Sequence, residues 1–301
     1  MTKKAVFVEL ISIFFVTILM ADQNEKPFDA HWETSIDANL TLTQNAYSKN
    51  WTGGETGALS WALTANALAK RQIVDWLHTK NTAKLAFGQT YSQNKETKIW
   101  SKPIKSVDII DLESIFRFTL NGFVDPFAGA KIESQFTDSR DTGTTVYINP
   151  FTFTESFGIA KILIKKNKTE WSIRLGPGFR QYLDRNAHDT LTNTRKTSFT
   201  NDGGILFASD FFTPLLNDRI TFNSKLSLFQ ALFYSEANSL IGQPNQDYWK
   251  SLDTKWENVF TAGITDYLNV NLTVELLYDR ELDPGIRLKE VLALGLSYKF
   301  I

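Results

Sequence analysis

The 301 residues are 43% hydrophobic, 13% aromatic and 22% charged, with 32 basic and 33 acidic side chains and no cysteine. This balance is too apolar for a disordered chain and offers no basic footprint for nucleic acid. The missing cysteines remove disulfide scaffolds, thiolate metal sites and cysteine nucleophiles, and a mean hydropathy of −0.21 excludes a bundle of membrane helices.

Residues 1–21 read as a cleaved signal peptide. Lys3 and Lys4 form the positive start, Leu10 to Met20 the apolar stretch, and Ala21 the small residue at the cut. Residues 22–301 then form one domain with no internal repeat or linker. From there on, segments alternate apolar and polar, the period of strands with two unlike faces. The first is clean: Trp32, Thr34, Ile36, Ala38, Leu40 and Leu42 oppose Glu33, Ser35, Asp37, Asn39, Thr41 and Thr43. Further strands are predicted near 57–70, 76–93, 106–120, 123–138, 151–166, 169–184, 199–213, 218–236, 248–264 and 267–280. The last runs from Leu288 to Phe300, for about twelve in all.

The connections alternate in length. Long ones fall near 46–56, 94–105, 139–150, 185–198 and 237–247, with a shorter sixth at 281–286. Short ones fall near 71–75, 121–122, 167–168, 214–217 and 265–266, and Asn121-Gly122 is a favoured hairpin pair. In an up-and-down sheet all the short turns then share one end, the asymmetry of outer-membrane barrels. The expected fold is therefore all-β: an up-and-down antiparallel transmembrane β-barrel of about twelve strands, in the outer membrane of a Gram-negative bacterium. A soluble sandwich also alternates; strand length, loop asymmetry and the export signal favour the barrel. Closure requires the last strand to pair with the first, because lipid leaves no edge satisfied.

The polar face carries Asp37, Glu113, Arg117, Lys131, Glu133, Arg174, Lys225, Asp253, Lys255, Glu257 and Glu275. These are the candidate lumen-lining charges. Aromatic residues recur near strand ends on the apolar face, Trp32, Trp171 and Tyr298 at the short-turn end and Tyr91, Tyr234 and Tyr278 at the loop end. They are the candidate membrane-interface girdles. Pro177 interrupts a predicted strand, for which a bulge is expected. In 151–166 the phenylalanines share a face with Glu155 and Lys161, so alternation alone does not assign inside and outside.

The stretch Gln44 to Glu55, with Asn50-Trp51-Thr52-Gly53-Gly54 at its heart, resembles the signature of the domain of unknown function 3078 family of predicted bacterial outer-membrane barrels. Phe157-Gly158-Ile159-Ala160-Lys161 and Leu175-Gly176-Pro177-Gly178-Phe179 are similar to later segments of that family. The resemblance implies a location; the family has no established activity to carry over.

Chemistry is sparse. His31, His78 and His188 have no ligand spacing, no serine stands in a nucleophile elbow, and neither glycine pair has phosphate-loop spacing. No cofactor, metal or catalytic residue is expected. Asp138, Arg140 and Asp141, with Asp184, Arg185 and Asp189, suit either calcium or lipopolysaccharide bridging, or a solvated loop. Expected partners are outer-membrane lipids and lipopolysaccharide, and the barrel insertion machinery through the C-terminal strand. Interleaved lumen charges and about twelve strands imply a constricted or closed lumen. Three functions follow: a narrow passive channel for small polar solutes, a closed accessory barrel whose loops bind surface partners, and, least favoured, an outer-membrane lipid hydrolase.

Overall fold

In the computed structural model, residues 31–47, 56–120, 122–141, 144–189 and 194–299 are described. The expected signal peptide, Asn121 and most of the 44–55 stretch lie outside them. Period-2 alternation becomes strand throughout: β1 Glu33–Asn45, β2 Ala58–Val74, β3 Leu77–Ser92, β4 Ile104–Phe118, β5 Asp125–Ser134, β6 Thr137–Asp141 and β7 Thr144–Tyr147. Then follow β8 Phe151–Lys166, β9 Thr169–Asp189, β10 Thr194–Leu215, β11 Ile220–Tyr234, β12 Leu252–Gly263, β13 Leu268–Asp279 and β14 Asp283–Lys299. Twelve of them close a ring in the order β1-β14-β13-β12-β11-β10-β9-β8-β5-β4-β3-β2, and β6-β7 form a separate hairpin. All neighbours in the ring are antiparallel, and the first strand meets the last as closure demands.

Two expected loops are strand instead. The 185–198 connection is the continuation of β9 and β10, which remain paired out to Asp189↔Thr194 with one register shift at Lys196/Ser198. The 281–286 connection shrinks because β14 starts at Asp283. In the β9–β10 extension polar residues occupy both faces, as in Arg185-Asn186 and Arg195-Lys196. The ladder continues there without an alternating signal to reveal it.

Register assigns the faces of β8. Ala160 lies opposite Arg174, and Thr154 opposite Lys131. Thr152, Thr154, Ser156, Gly158, Ala160 and Ile162 therefore face inward, with no bulge before Ile162/Ile164. Phe151, Phe153, Phe157 and Ile159 face outward together with Glu155 and Lys161. The Lys161 ammonium sits 3.2 Å from the ring centroid of Phe123 in the β4–β5 turn, a cation–π contact that lets a charge stand on an apolar face.

Pro177 produces no bulge. Ser156↔Gly178 and Ile159↔Leu175 keep one register across it, although the ladder between them is interrupted, and Pro177 stays opposite Ile205 on the other side. Two glycines make this possible. A Cβ on Gly176 would stand 2.0 Å from the Phe157 carbonyl oxygen, and one on Gly158, at φ +152°, would stand 2.3 Å from that of Leu175. The chains approach closely where the missing proline N–H leaves no ladder bond to hold. Gly176→Ala should destabilise the barrel by about 2 kcal/mol, seen as a lower temperature for loss of the compact band on unheated gels. An unchanged temperature would mean the close approach is not required.

The β1–β14 seam is short. It holds five pairs, Asp37↔Lys299 to Thr41↔Gly295, whereas β1 pairs with β2 along its whole length and β13–β14 runs up to Asp279↔Asp283.

Candidate functional site

The inward faces meet in the lumen. Toward the short-turn end it is packed by Ile115, Phe127 and Ala160, with the Arg174 guanidinium carbon 5.9 Å from the Phe127 ring centroid. Arg174 is itself buried, donating from Nη1 to Glu113 Oε1 at 2.9 Å and from Nη2 to Asp210 Oδ2 at 3.2 Å. Glu113 lies on β4 and Arg174 on β9, three places apart round the ring. The guanidinium thus reaches across an arc of wall.

Above that floor, ion pairs span the lumen. Lys84 on β3 meets Glu257 on β12, five places apart in the ring of twelve. From β12, Lys255 reaches Glu133 on β5 at 2.7 Å and stands 3.9 Å from Asp111 on β4. Lys131 braces the same two carboxylates, at 2.9 Å from Glu133 and 3.2 Å from Asp111. Nearer the short-turn end Lys70 on β2 lies 3.9 Å from Glu170 on β9. Lys84, Lys255 and Lys70 each reach a carboxylate on a facing wall, whereas Lys131 bonds within its own strand and to the adjacent β4. The Lys255 side chain keeps 40% exposure, so water reaches the network.

Every candidate lumen charge lies on an inward face. Asp37 accepts a hydrogen bond from Asn66 at 2.9 Å, Arg117 lies 3.8 Å from Asp125, and Glu275 lies 4.0 Å from Lys289. Lys225 faces Asp210 and Glu257 in register, and Asp253 meets Arg180 at 2.8 Å. Sequence reasoning missed Lys70, Lys84, Arg180, Asp202 and Asp210. Their alternation with the recognised charges was a usable signal, but partners on opposite walls have no sequence spacing.

The aromatic candidates divide. Trp171 and Tyr298 face outward, and the Trp171 indole donates to Ser209 at 3.0 Å. Tyr91 lies opposite Leu59 and Tyr278 opposite Thr254 on outward positions. Trp32 precedes β1, under the Arg71 guanidinium at 5.7 Å. Tyr234 is not on the outer face. A register shift at Gly203/Gly204 sets it opposite Asp202, whose carboxylate bonds the inward Arg180. The bulge turns the residues beyond it by one step.

At the long-loop end, the β6–β7 hairpin is clamped to β9. The Arg140 guanidinium lies between two carboxylates, 2.7 Å from Asp138 and 2.8 Å from Asp184. The Asn149 amide donates to both, at 2.7 and 3.0 Å, and accepts the Arg185 N–H at 2.7 Å. Asp138, Asn149, Asp184 and Asn186 are buried, which overturns the solvated-loop reading. Arg140 occupies the space a calcium ion bound between Asp138 and Asp184 would need. Burial opposes ionisation of Asp138, but hydrogen bonds from Arg140 and Asn149 outweigh it and hold the carboxyl well below its usual range. The side chains of Asp141 and Asp189 lie outside the described residues. His188 belongs to β9, opposite Arg195, rather than to a loop.

At the same end, Glu281 between β13 and β14 keeps an exposed side chain but has its pKa raised to about 7, by partial desolvation first and then by the charges of Asp279, Asp253 and Asp202. The folded state therefore holds a proton on Glu281 that the unfolded chain has released. That favours folding at low pH, and the advantage fades as pH rises from about 4.5 to 7. Glu281→Gln should stabilise this end above pH 7 and leave it unchanged at pH 4, read as the pH dependence of thermal unfolding. Equal profiles for both proteins would contradict the assignment.

Residues 42–139 match the family model described as Protein of unknown function (DUF3078). The matched part includes the Asn50-Trp51-Thr52-Gly53-Gly54 stretch; the two later segments of the DUF3078 resemblance lie beyond it. A search of curated proteins finds no match. Among solved structures, the chain is similar to the COG4313 outer membrane channel from Pseudomonas putida F1, at 14% identity and TM-score 0.41, covering 93% of this chain and 98% of that one. Pseudomonas putida OprB is similar at 10% identity and TM-score 0.31, with 89% and 94% covered. The transport unit of the autotransporter AIDA-I from Escherichia coli is similar at 9% identity and TM-score 0.29, with 93% and 92% covered.

Proposed function

We propose that this protein is an outer-membrane β-barrel forming a narrow passage for small polar solutes. The observation that carries the reading is the set of ion pairs joining opposite walls, Lys84–Glu257 and Lys255–Glu133. They leave a hydrated lumen whose bore is limited by side chains, and mixed signs give weak charge selectivity. Membrane residence is supported by the exterior. Leu40, Leu63, Leu85, Phe157, Leu175, Ile205, Trp256 and Leu292 stand exposed on strands all round the ring. A water-soluble barrel does not carry an apolar surface of that extent. The final strand would engage the insertion machinery, and lipids and lipopolysaccharide would surround the rest.

The same ion pairs support a second reading, a lumen that stays shut while the loops bind surface partners. Folded protein in a planar bilayer separates the two. The passage predicts discrete current steps smaller than those of a 16-stranded porin measured alongside; a complete absence of current at any voltage would leave only the shut barrel. Mature protein recovered freely dissolved from the periplasm, without detergent, would defeat both.

A further inference from the structure

The Lys84–Glu257 ion pair joins β3 to β12 and so forms a chord across the ring. It divides the bore unequally. Six strands lie on one side of it, β4, β5, β8, β9, β10 and β11, and four on the other, β13, β14, β1 and β2.

The two sectors are filled differently. Each of the six strands puts a buried side chain inward: Ile115, Phe127, Ala160, Arg174, Ala208 and Phe229. Ala208 pairs with Arg174 and Phe229 with Asp253, which fixes their facing. On the four strands, Asn269 is the only buried inward side chain among the described residues. There Val291, set inward by its pairing with Thr273, keeps 42% exposure, and Thr43 is exposed. Close packing fills the six-strand side, whereas water reaches the wall of the four-strand side.

The four-strand wall is also chemically distinct. Its charges stand toward the ends, Glu275 with Lys289 in register with Glu257, and Glu33 with Lys70 near the short turns. Between them Asp37, held by Asn66, is the one charge among the described side chains. The rest are hydroxyls, amides and small groups, among them Thr41, Ser60 and Thr64. An amide belt crosses this wall. Asn39 on β1 donates to Asn269 Oδ1 on β13 at 2.8 Å, reaching over β14 at Gly295, where a Cβ would collide with it. Asn271 donates to the same oxygen at 2.9 Å and accepts from Thr261 at 2.7 Å. The Asn39 carbonyl oxygen and the Asn269 amide nitrogen have no partner among the described residues. An acceptor and a donor on two joined amides match a hydroxyl group, which both gives and takes a hydrogen bond.

We propose that the passage runs off-axis, through the four-strand sector, and that its solute is a small neutral polyhydroxy compound. Hydroxyl and amide groups along the wall replace the solute's water without engaging a charge. This rests on the passage reading above, and adds where the solute travels and what it is.

The test uses the folded protein in liposomes, with erythritol entry read by osmotic swelling and potassium chloride current recorded in parallel. Since the protein has no cysteine, single cysteines can be modified after folding with a glucose-bearing methanethiosulfonate, which leaves assembly untouched. Modified Thr43→Cys or Val291→Cys should slow erythritol entry by about tenfold, because the added ring fills the bore, and reduction should restore it. Ala160→Cys and Ala208→Cys, in the packed sector, should not react and should keep wild-type entry. Asn39→Leu keeps the size and removes the free carbonyl oxygen. It should slow erythritol by about threefold and leave the current unchanged, in protein whose compact band on unheated gels shows it folded. Unslowed entry after complete modification at positions 43 and 291, or reaction at position 160 or 208, would overturn the proposal. An equal loss of entry and current in folded Asn39→Leu would remove the neutral solute. Wild-type current without erythritol entry would defeat this inference and leave the passage standing; neither current nor entry would defeat both.

Discussion

Arg174→Ala should widen the lumen where this buried side chain now crosses it. The side chain is buried over Phe127 and joins Glu113 to Asp210. Its removal takes a long cation out of the bore and leaves two carboxylates without their shared counter-charge. Single-channel conductance should rise by about threefold, and permeation should shift toward cations. Arg174→Lys keeps the charge but not the forked geometry, and should fall between the two. The substitution also exposes Glu113 and Asp210 to each other, so the folded fraction must be compared by the mobility of unheated protein. An unchanged current from properly folded Arg174→Ala would mean the passage is limited elsewhere, and the floor built from Ile115, Phe127 and Ala160 would be the next place to look.

Arg140→Ala should release the β6–β7 hairpin. Two carboxylates, one on Asp138 at 1% exposure, would lose the guanidinium that lies between them. Stranding buried charge is costly, and with Arg140 itself partly exposed the local loss is about 2–3 kcal/mol. A protease added from the loop side should then cut within 137–147 while the barrel band persists. Full resistance in the variant would show that the β6–β7 ladder and the Asn149 bonds suffice. The clamp also sets an acid limit. Because Asp138 is held below its usual range, its contribution is complete above pH about 4 and is lost as pH falls below that. Wild-type hairpin should stay protected at pH 5 and loosen only near pH 3.

The strand count was legible because alternation is local. Trp32 to Thr43 or Leu288 to Phe300 state their two faces without reference to any neighbour. Where both faces are polar, as beyond Leu183 and before Phe199, the same rule falls silent although the ladder continues. Facing is also beyond alternation where the register shifts: Tyr234 falls on the outward period, and the one-residue shift at Gly203/Gly204 that turns it inward is invisible to a period of two. Pro177 was legible as a disturbance but not in kind, since the relief comes from Gly158 on the neighbouring strand as much as from Gly176 on its own.

The sequence by itself determined about twelve amphipathic strands, the short turns at one end and the sign of the charges on the inner face, which follow from side chains projecting to opposite sides of an extended chain. Only the tertiary structure decided that Lys84 meets Glu257, that Arg140 fills the space between Asp138 and Asp184, and that the first and last strands part above Thr41. Those contacts depend on the stagger at which the sheet closes. Residues far apart in the chain become neighbours across the bore only once the ring has a fixed circumference.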